Sequence, residues 1–383
     1  MTAAPVFLPG STIGVMGGGQ LGRMLGLAAR RMGYQLHSFS PERDTPAGQV
    51  ADLEVCAQYF DEEAVRTFAK GIDVLTFEFE NVPVESIEWA AQHCVVRPAG
   101  RVLEVCQHRL REKTFLKAAG LPLPAFMPVE NLAQLEAAVA QLGTPAVLKT
   151  AAFGYDGKGQ RKILKESDLA EVWSSFAGQK AVLEAWVPFE RELSVLVARG
   201  TDGSTVTYPV CENVHANHIL DLTLVPARIT ETAAEAARAI AVKAAHALEL
   251  TGLLAVELFL LPDGTILVNE LAPRPHNSGH FSLDAAMTNQ FEQQLRAVCG
   301  LPLGSTELLR PCAMANLLGD AWEGGEPDWA AALGLPSVKL HLYGKKEARP
   351  GRKMGHLVAM GATLEAAEAL VRDAQARLTR RGA

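Results

Sequence analysis

The chain has 383 residues, of which 48% are hydrophobic and 21% charged, the composition of a folded globular protein long enough for two or three domains. Its 36 Lys and Arg against 43 Asp and Glu give a formal charge of -7, which speaks against a nucleic-acid partner. Six scattered cysteines without a C-x-x-C pair exclude a disulfide framework and a zinc cluster, and no apolar run approaches the ~18 residues of a membrane span. The expected compartment is the cytoplasm, with no membrane partner.

Thr12 to Met16 predicts a buried strand, Gly17 to Gly19 a turn, and Leu21, Leu25 and Ala28 a helical face. A strand from Gln35 to Phe39, a helix from Asp61 to Lys70 and a strand from Asp73 to Phe77 continue the alternation, which predicts a parallel sheet with helices on its faces. Arg101 to Ala119 reads as one charged amphipathic helix, closed by Gly120 and the proline-rich Leu121-Pro122-Leu123-Pro124. From Pro145 onward short strands, glycine turns and a helix from Glu231 to Leu250 predict an α+β unit, and a smaller region follows Leu301-Pro302. The expected division is a Rossmann-like domain over 1–104, a central domain over 105–300 with subdomains of about 105–183 and 184–300, and a small C-terminal domain over 301–383. No internal repeat is visible.

Gly17-x-Gly19-x-x-Gly22 sits between a strand and a helix, as a dinucleotide fingerprint would. The second strand, however, ends Ser38-Phe39-Ser40-Pro41 without the acid that a nicotinamide site wants, and Glu42 follows a proline. A tight packing turn and a site for another phosphate-bearing ligand are the other readings. Further on, Ala146 to Lys149 is a strand ending in lysine, followed by Gly154, Gly157 and Gly159 around Lys158. Freed backbone and positive charge suit a phosphate-covering loop, or a hairpin turn with solvated lysines. Lys158 is not followed by Ser or Thr, so this is no P-loop.

Leu253 to Leu260 and Ile266 to Leu271 are apolar strands, each interrupted by an acid, around Asp263-Gly264. A two- or four-residue loop makes paired positions sum to 527, so Glu257 faces Glu270. Opposed like charges ~4.5 to 5.5 Å apart destabilise a sheet unless neutralised. A divalent cation would do so, magnesium or manganese for oxygen ligands; the other reading is a protonated acid or a lysine partner.

A lysine-ended strand, a glycine loop, an acid-bearing linker strand and a paired-carboxylate hairpin together resemble the ATP-grasp fold. Five stretches narrow the match: Gly17 to Met24, Thr76 to Val82, Gly154 to Gln160, Asn269 to His280, and Arg349 to His356. In that order, from residue 11 to about 360, they resemble the 5-(carboxyamino)imidazole ribonucleotide synthase family of bacterial purine synthesis. The resemblance implies an α/β and α+β chain in which an ATP-grasp domain follows the Rossmann-like sheet and precedes the small C-terminal domain. It implies a ligase that uses ATP to turn bicarbonate into carboxyphosphate, whose carbon dioxide is delivered to the amine of 5-aminoimidazole ribonucleotide. A homodimer is also implied.

By the same resemblance Arg109 and Lys149 would bind ATP phosphates under the Gly154, Tyr155, Asp156, Gly157, Lys158, Gly159, Gln160 loop. Glu184, Ala185, Trp186 and Val187 would meet adenine, Glu192 the ribose hydroxyls, and His215 and Asn269 further parts of the nucleotide. Glu257 and Glu270 would hold magnesium. Arg274, with its planar fork, would hold bicarbonate, with His276, Asn277 and Asp156 as further catalytic groups. Lys345, Arg352 and Lys353, in a basic segment of an acidic chain, would grip the ribonucleotide phosphate, with Tyr155, Asp156 and Glu78 closer to the imidazole and Gly19, Gln20 and Leu21 lining the substrate side. Without the resemblance, Glu184 and Glu192 read as solvated acids and His215 as a loop histidine. The rival functions are another ATP-grasp ligase acting on a purine-pathway ribonucleotide and an NAD-dependent dehydrogenase.

Overall fold

The computed structural model describes residues 4–152 and 159–379. Five parallel strands, β1 (Thr12–Met16), β2 (Gln35–Ser40), β3 (Leu53–Cys56), β4 (Val74–Phe77) and β5 (Val95–Val96), form the first sheet in the order β3-β2-β1-β4-β5. The chain order reverses between β1 and β4, and the crevice at such a switch point is where open α/β sheets place their sites. The helix Gln20–Arg31 buries Leu21, Met24, Leu25 and Ala29 on Ile13, Val15 and Leu36 of the sheet. A second helix, Gln290–Cys299, lays Phe291, Leu295 and Val298 on the same cluster and so fixes the central region against the first sheet.

The next sheet has four antiparallel strands, β6 (Phe126–Val129), β7 (Ala146–Thr150), β8 (Gln160–Ile163) and β9 (Ala181–Ala185), ordered β6-β9-β7-β8. The third contains β10 (Arg191–Arg199), β11 (Thr205–Thr207), β12 (Cys211–Ala216), β13 (Ile219–Val225), β14 (Gly252–Leu260), β15 (Ile266–Ala272), β16 (Cys312–Leu318), β17 (Val338–Leu342) and β18 (Lys353–Met360). Its order is β15-β14-β10-β12-β13-β16-β18-β17, with β11 on β10. Strands from beyond residue 301 therefore extend the central sheet through β13 and β16 rather than forming one of their own. Among the described residues no helix is long and apolar enough to cross a membrane.

The helix expected over Arg101 to Ala119 is two helices, Gly100–Cys106 and Arg109–Ala118. Between them His108 is extended, pairs with Ala152, and caps the second helix by accepting from the N–H of Arg111 at 3.4 Å. The break starts a new helix at Arg109, and spacings of three and four then put Arg109, Glu112 and Lys113 on one face.

Candidate active site

The glycine turn is occupied from within the chain. Glu78, just past β4 across the switch point, accepts from the N–H of Gly22 at 2.6 Å and from the N–H of Gly19. A carboxylate thus takes the helix N-terminus that would otherwise hold a phosphate. The glycines permit the approach: a Cβ on Gly17, where φ is +119°, would lie 2.2 Å from Cγ of Glu78. With the N–H groups of Gly19 and Gly22 already donating to Glu78, those donors are not offered to a pyrophosphate, which speaks against the dinucleotide reading of the motif. Glu78 is 7% exposed, and burial raises its pKa although the two N–H donors, Arg274 and Lys345 pull the other way.

The second cluster lies where the four-stranded sheet faces the β14–β15 hairpin. Lys149 on β7 and Lys113 on the Arg109–Ala118 helix both reach Oε2 of Glu184, at 3.1 and 3.2 Å. Glu184 is 3% exposed and is no solvated acid. Burial raises its pKa, but Lys149, Lys113 and Arg109 outweigh that and hold it below the usual range. Its other oxygen, Oε1, is buried without a partner. Burial lowers the Lys149 ammonium against the pull of Glu184.

The hairpin pairs Glu257 with Glu270, though not through an unbroken register. A three-residue loop, Pro262 to Gly264, closes on a hydrogen bond from Leu261 N–H to Thr265 C=O, and near it pairs such as Leu258 with Val268 sum to 526. A bulge at Asn269 adds one residue and restores 527 at the acids. The bulged residue turns toward the cations: Lys113 donates to its backbone carbonyl at 3.3 Å and Lys149 to its side-chain oxygen at 3.5 Å. The two acids, expected to repel, each have a nitrogen partner of their own. Arg109 Nη1 lies 2.8 Å from Glu270 and His276 Nε2 lies 3.0 Å from Glu257. Burial would raise Glu270, but the charge and hydrogen bond of Arg109 hold it well below the carboxylate range. Glu112 behind it, buried and near Glu270, is pushed up to about 8 while accepting from the N–H of Leu271.

Arg274 is paired across the domain junction with Glu80, Nη2 donating to Oε1 at 2.9 Å and Nε to Oε2, while Nη1 donates to the Pro275 carbonyl at 3.1 Å. One edge of the fork expected to hold bicarbonate is therefore filled by a carboxylate. A cavity of about 310 Å³ joins this pair to Gln20, Leu21, Glu78, Glu257, Glu270, His276, Asn277, His280 and Lys353. Asn277 lines this cavity, and both of its amide atoms are buried without partners. A neighbouring hollow, lined by Arg109, Gln107, Glu112 and Ala152, shares Glu80, Asn81 and Glu270 with the first.

Other expected residues are not among those lining these hollows. Glu192 on β10 and His215 on β12 bond to each other at 2.7 Å, and that bond raises His215 against the lowering effect of burial. Trp186 and Val187 follow β9, and Lys162 lies 3.8 Å over the Trp186 ring. Lys345 donates to the Lys353 carbonyl at 2.6 Å, and Arg352 to the Glu347 carbonyl at 2.9 Å. Lys346 with Asp44, and Gln49 with Gly344, hold the basic segment to the first domain. Gly154, Tyr155, Asp156, Gly157 and Lys158 lie outside the described residues, whereas Gly159 is a turn residue just before β8, which Gln160 opens.

Glu80 and Lys113 were missed from the sequence. Lys113 lies one helical turn after Arg109 and so shares a face with an expected residue, whereas Glu80 lies in the turn that follows β4, where no periodicity reports it.

Comparison with known proteins agrees along the whole chain. Residues 11–107 match the ribonucleotide synthetase preATP-grasp domain, 114–291 the ATP-grasp domain and 312–370 the phosphoribosylaminoimidazole carboxylase C-terminal domain. The chain is 46% identical over 355 residues to the N5-carboxyaminoimidazole ribonucleotide synthase of Bacillus subtilis, covering 93% of each chain. It is 38% identical to that of Staphylococcus aureus, covering 92% of this chain and 93% of that one. An N5-carboxyaminoimidazole ribonucleotide synthetase crystallised as its ADP complex superposes with a TM-score of 0.93 at 45% identity, over 97% of this chain and 98% of that one. The Aspergillus clavatus enzyme, in complex with ADP and 5-aminoimidazole ribonucleotide, gives 0.89 at 32% identity, over 96% and 99%. The chain belongs to the N5-carboxyaminoimidazole ribonucleotide synthases, the ATP-grasp ligases that carboxylate 5-aminoimidazole ribonucleotide in purine biosynthesis.

Proposed function

We propose that the two joined hollows divide this carboxylation between them, ATP phosphates lying on the Arg109, Lys113 and Lys149 side and bicarbonate with the ribonucleotide on the Arg274 and Lys353 side. The observation that carries the reading is the sharing of Glu80, Asn81 and Glu270 by both hollows, which makes donor and acceptor of the phosphoryl group neighbours. Three cations against two acids suit a polyphosphate, and the unpartnered oxygen of Glu184 offers the nucleotide an acceptor. Arg274, oriented by Glu80, meets the anion with its remaining edge, and the amide of Asn277 supplies a donor and an acceptor beside it. Lys353, with Lys345 and Arg352 behind it, takes the ribonucleotide phosphate. Excluding water here protects the carboxylated intermediate from hydrolysis.

Glu257 and Glu270 form an all-oxygen pair that fits magnesium or manganese. Among the described residues no group of three His, Cys, Asp or Glu could cage a metal, so phosphates and water would complete the shell. When bound, the ion would neutralise charge on the transferring phosphoryl group. Purified protein given ATP, magnesium, bicarbonate and 5-aminoimidazole ribonucleotide should release ADP only when all four are present. Sedimentation would measure the expected homodimer. Arg274→Lys keeps the charge but loses the fork that grips both Glu80 and the anion, so it should fail nearly as badly as Arg274→Ala. A lysine variant with most of the wild-type turnover would remove Arg274 from this role.

A further inference from the structure

A buried polar side chain of the cavity, His280, has no part in the scheme above. His280 is 1% exposed, yet it lines the hollow with Arg274, Asn277 and Lys353. Its protonation can be read from its neighbour. Gln290, fully buried, accepts at Oε1 from the N–H of His276 at 2.8 Å and donates from Nε2 to the carbonyl of the same residue at 2.9 Å. Backbone N–H only donates and C=O only accepts, so this pair fixes which end of the amide is nitrogen. The second hydrogen on Nε2 meets Nδ1 of His280 at 2.8 Å. Nδ1 must therefore be a bare acceptor, and the ring proton sits on Nε2.

The ring packs among His356, Phe291 and Tyr343, with centroids at 4.9, 5.8 and 6.1 Å. Burial first, then the charges of His276, His341, Lys353 and Arg274, keep His280 neutral by holding its pKa far below the ordinary value. A neutral donor can hold an oxyanion without surrendering its proton and without adding charge beside Arg274 and Lys353.

We propose that His280 contacts substrate, its Nε2–H donating to an anionic oxygen of the bound reactants, and that Gln290 is the positioning residue that sets its tautomer. The oxyanion belongs either to the carboxylate derived from bicarbonate or to the ribonucleotide phosphate. The inference rests on the assignment of this cavity to the carboxylation. The test uses the full chain labelled with ring-15N histidine, the His280 signals being those lost in His280→Gln. Wild-type protein should show an unprotonated Nδ1 and a protonated Nε2 at neutral pH. The Nε2–H resonance should move on adding either bicarbonate or 5-aminoimidazole ribonucleotide to the ADP-bound enzyme, and the ligand that moves it names the source of the oxyanion.

In kinetics, His280→Leu should lower kcat/KM for that same ligand by about 10- to 100-fold, the loss of one hydrogen bond to a charged group. His280→Gln, which keeps an N–H at similar reach, should stay within a few-fold of wild type. A proton on Nδ1, an imidazolium, or a glutamine variant as impaired as the leucine one would overturn the proposal. So would an unmoved His280 while His276 responds to ligand. If no cavity histidine responds to either ligand, the cavity assignment itself falls. The wild-type spectrum decides the tautomer even where His280→Leu does not fold.

Discussion

Two buried carboxylates, Glu78 and Glu184, occupy two places where the chain gathers positive character, and their surroundings shift them in opposite directions. Glu78 sits on backbone N–H groups at the start of a helix, and burial prevails, raising its pKa. Glu184 sits between two ammonium groups, and the charges prevail, lowering it. Partial charges on N–H groups satisfy a carboxylate's hydrogen bonds but only partly replace its hydration, whereas full charges a few ångströms away overcompensate. The difference also sorts the sites by use. The N–H groups of the glycine turn are taken by the protein's own acid, beside the cavity that Gln20, Leu21 and Glu78 line. The lysine pair retains a surplus, since Arg109, Lys113 and Lys149 face Glu184 and Glu270, and that surplus is available to an incoming anion.

The largest effect should come from removing one of the cations. Lys149→Ala should lower kcat/KM for ATP by about 100-fold, the upper range for a charge-assisted contact, while the KM for the ribonucleotide changes less than about threefold. Steady-state kinetics with each substrate varied in turn measures both, and a variant that keeps its ATP kinetics would end the contrast between a filled and a receptive site.

At the glycine turn the expected loss is of stability. Gly17→Ala places a methyl against Cγ of Glu78 at a positive φ, and should cost about 1 to 3 kcal/mol in denaturant unfolding. Adding Glu78→Ala should return part of that loss, because the clash is with that side chain. Strict additivity in the double-mutant cycle would show that the two do not touch.

The smallest effect is the pH dependence, where the two acids should differ in sign. The folded-state pKa of Glu184 lies below its unfolded value of about 4.3, so its contribution is full above that pH and disappears as pH falls below it. That of Glu78 lies above, so its contribution is full below about pH 4.3 and disappears as pH rises from there through the raised folded value. Compared with Glu184→Gln, wild type should lose stability toward acid; compared with Glu78→Gln, it should lose stability as pH rises. Two differences of the same sign would show that one of the two environments has been misjudged.

The local elements around these sites were legible because each is specified within a few residues. A strand, three glycines and a helical stripe predict the first turn, and Asp-Gly between apolar runs predicts the hairpin. What fills the turn was not legible, since Glu78 is 56 residues beyond Gly22 in the chain and meets it only through the pairing of β1 with β4. The bulge at Asn269 was equally hidden: the opposition of Glu257 and Glu270 was expected from a register that the shorter loop breaks and the bulge restores. The break at His108 was missed because Arg101 to Ala119 keeps helical periodicity across it, while the pairing of His108 with Ala152 comes from a distant strand end. The fixed tautomer of His280 depends on the amide of Gln290, and no spacing rule reports which way an amide is turned.

The nine-stranded sheet has a mechanical consequence. From β14 to β18 the hydrogen-bonded path crosses β10, β12, β13 and β16, a span of about 24 Å at the usual interstrand spacing. Yet Glu257 on the first of these strands and Lys353 on the last line one hollow of about 310 Å³. The sheet must curl to bring its two ends around the substrate, like a hand closing from one palm, and groups on opposite walls are then coupled through a continuous ladder. Lys149 and Glu184 belong to a different sheet that shares no ladder with it. A movement of one sheet against the other would shift Lys149 and Glu184 relative to the hollow, while Glu257 and Lys353 would stay tied to each other through their ladder.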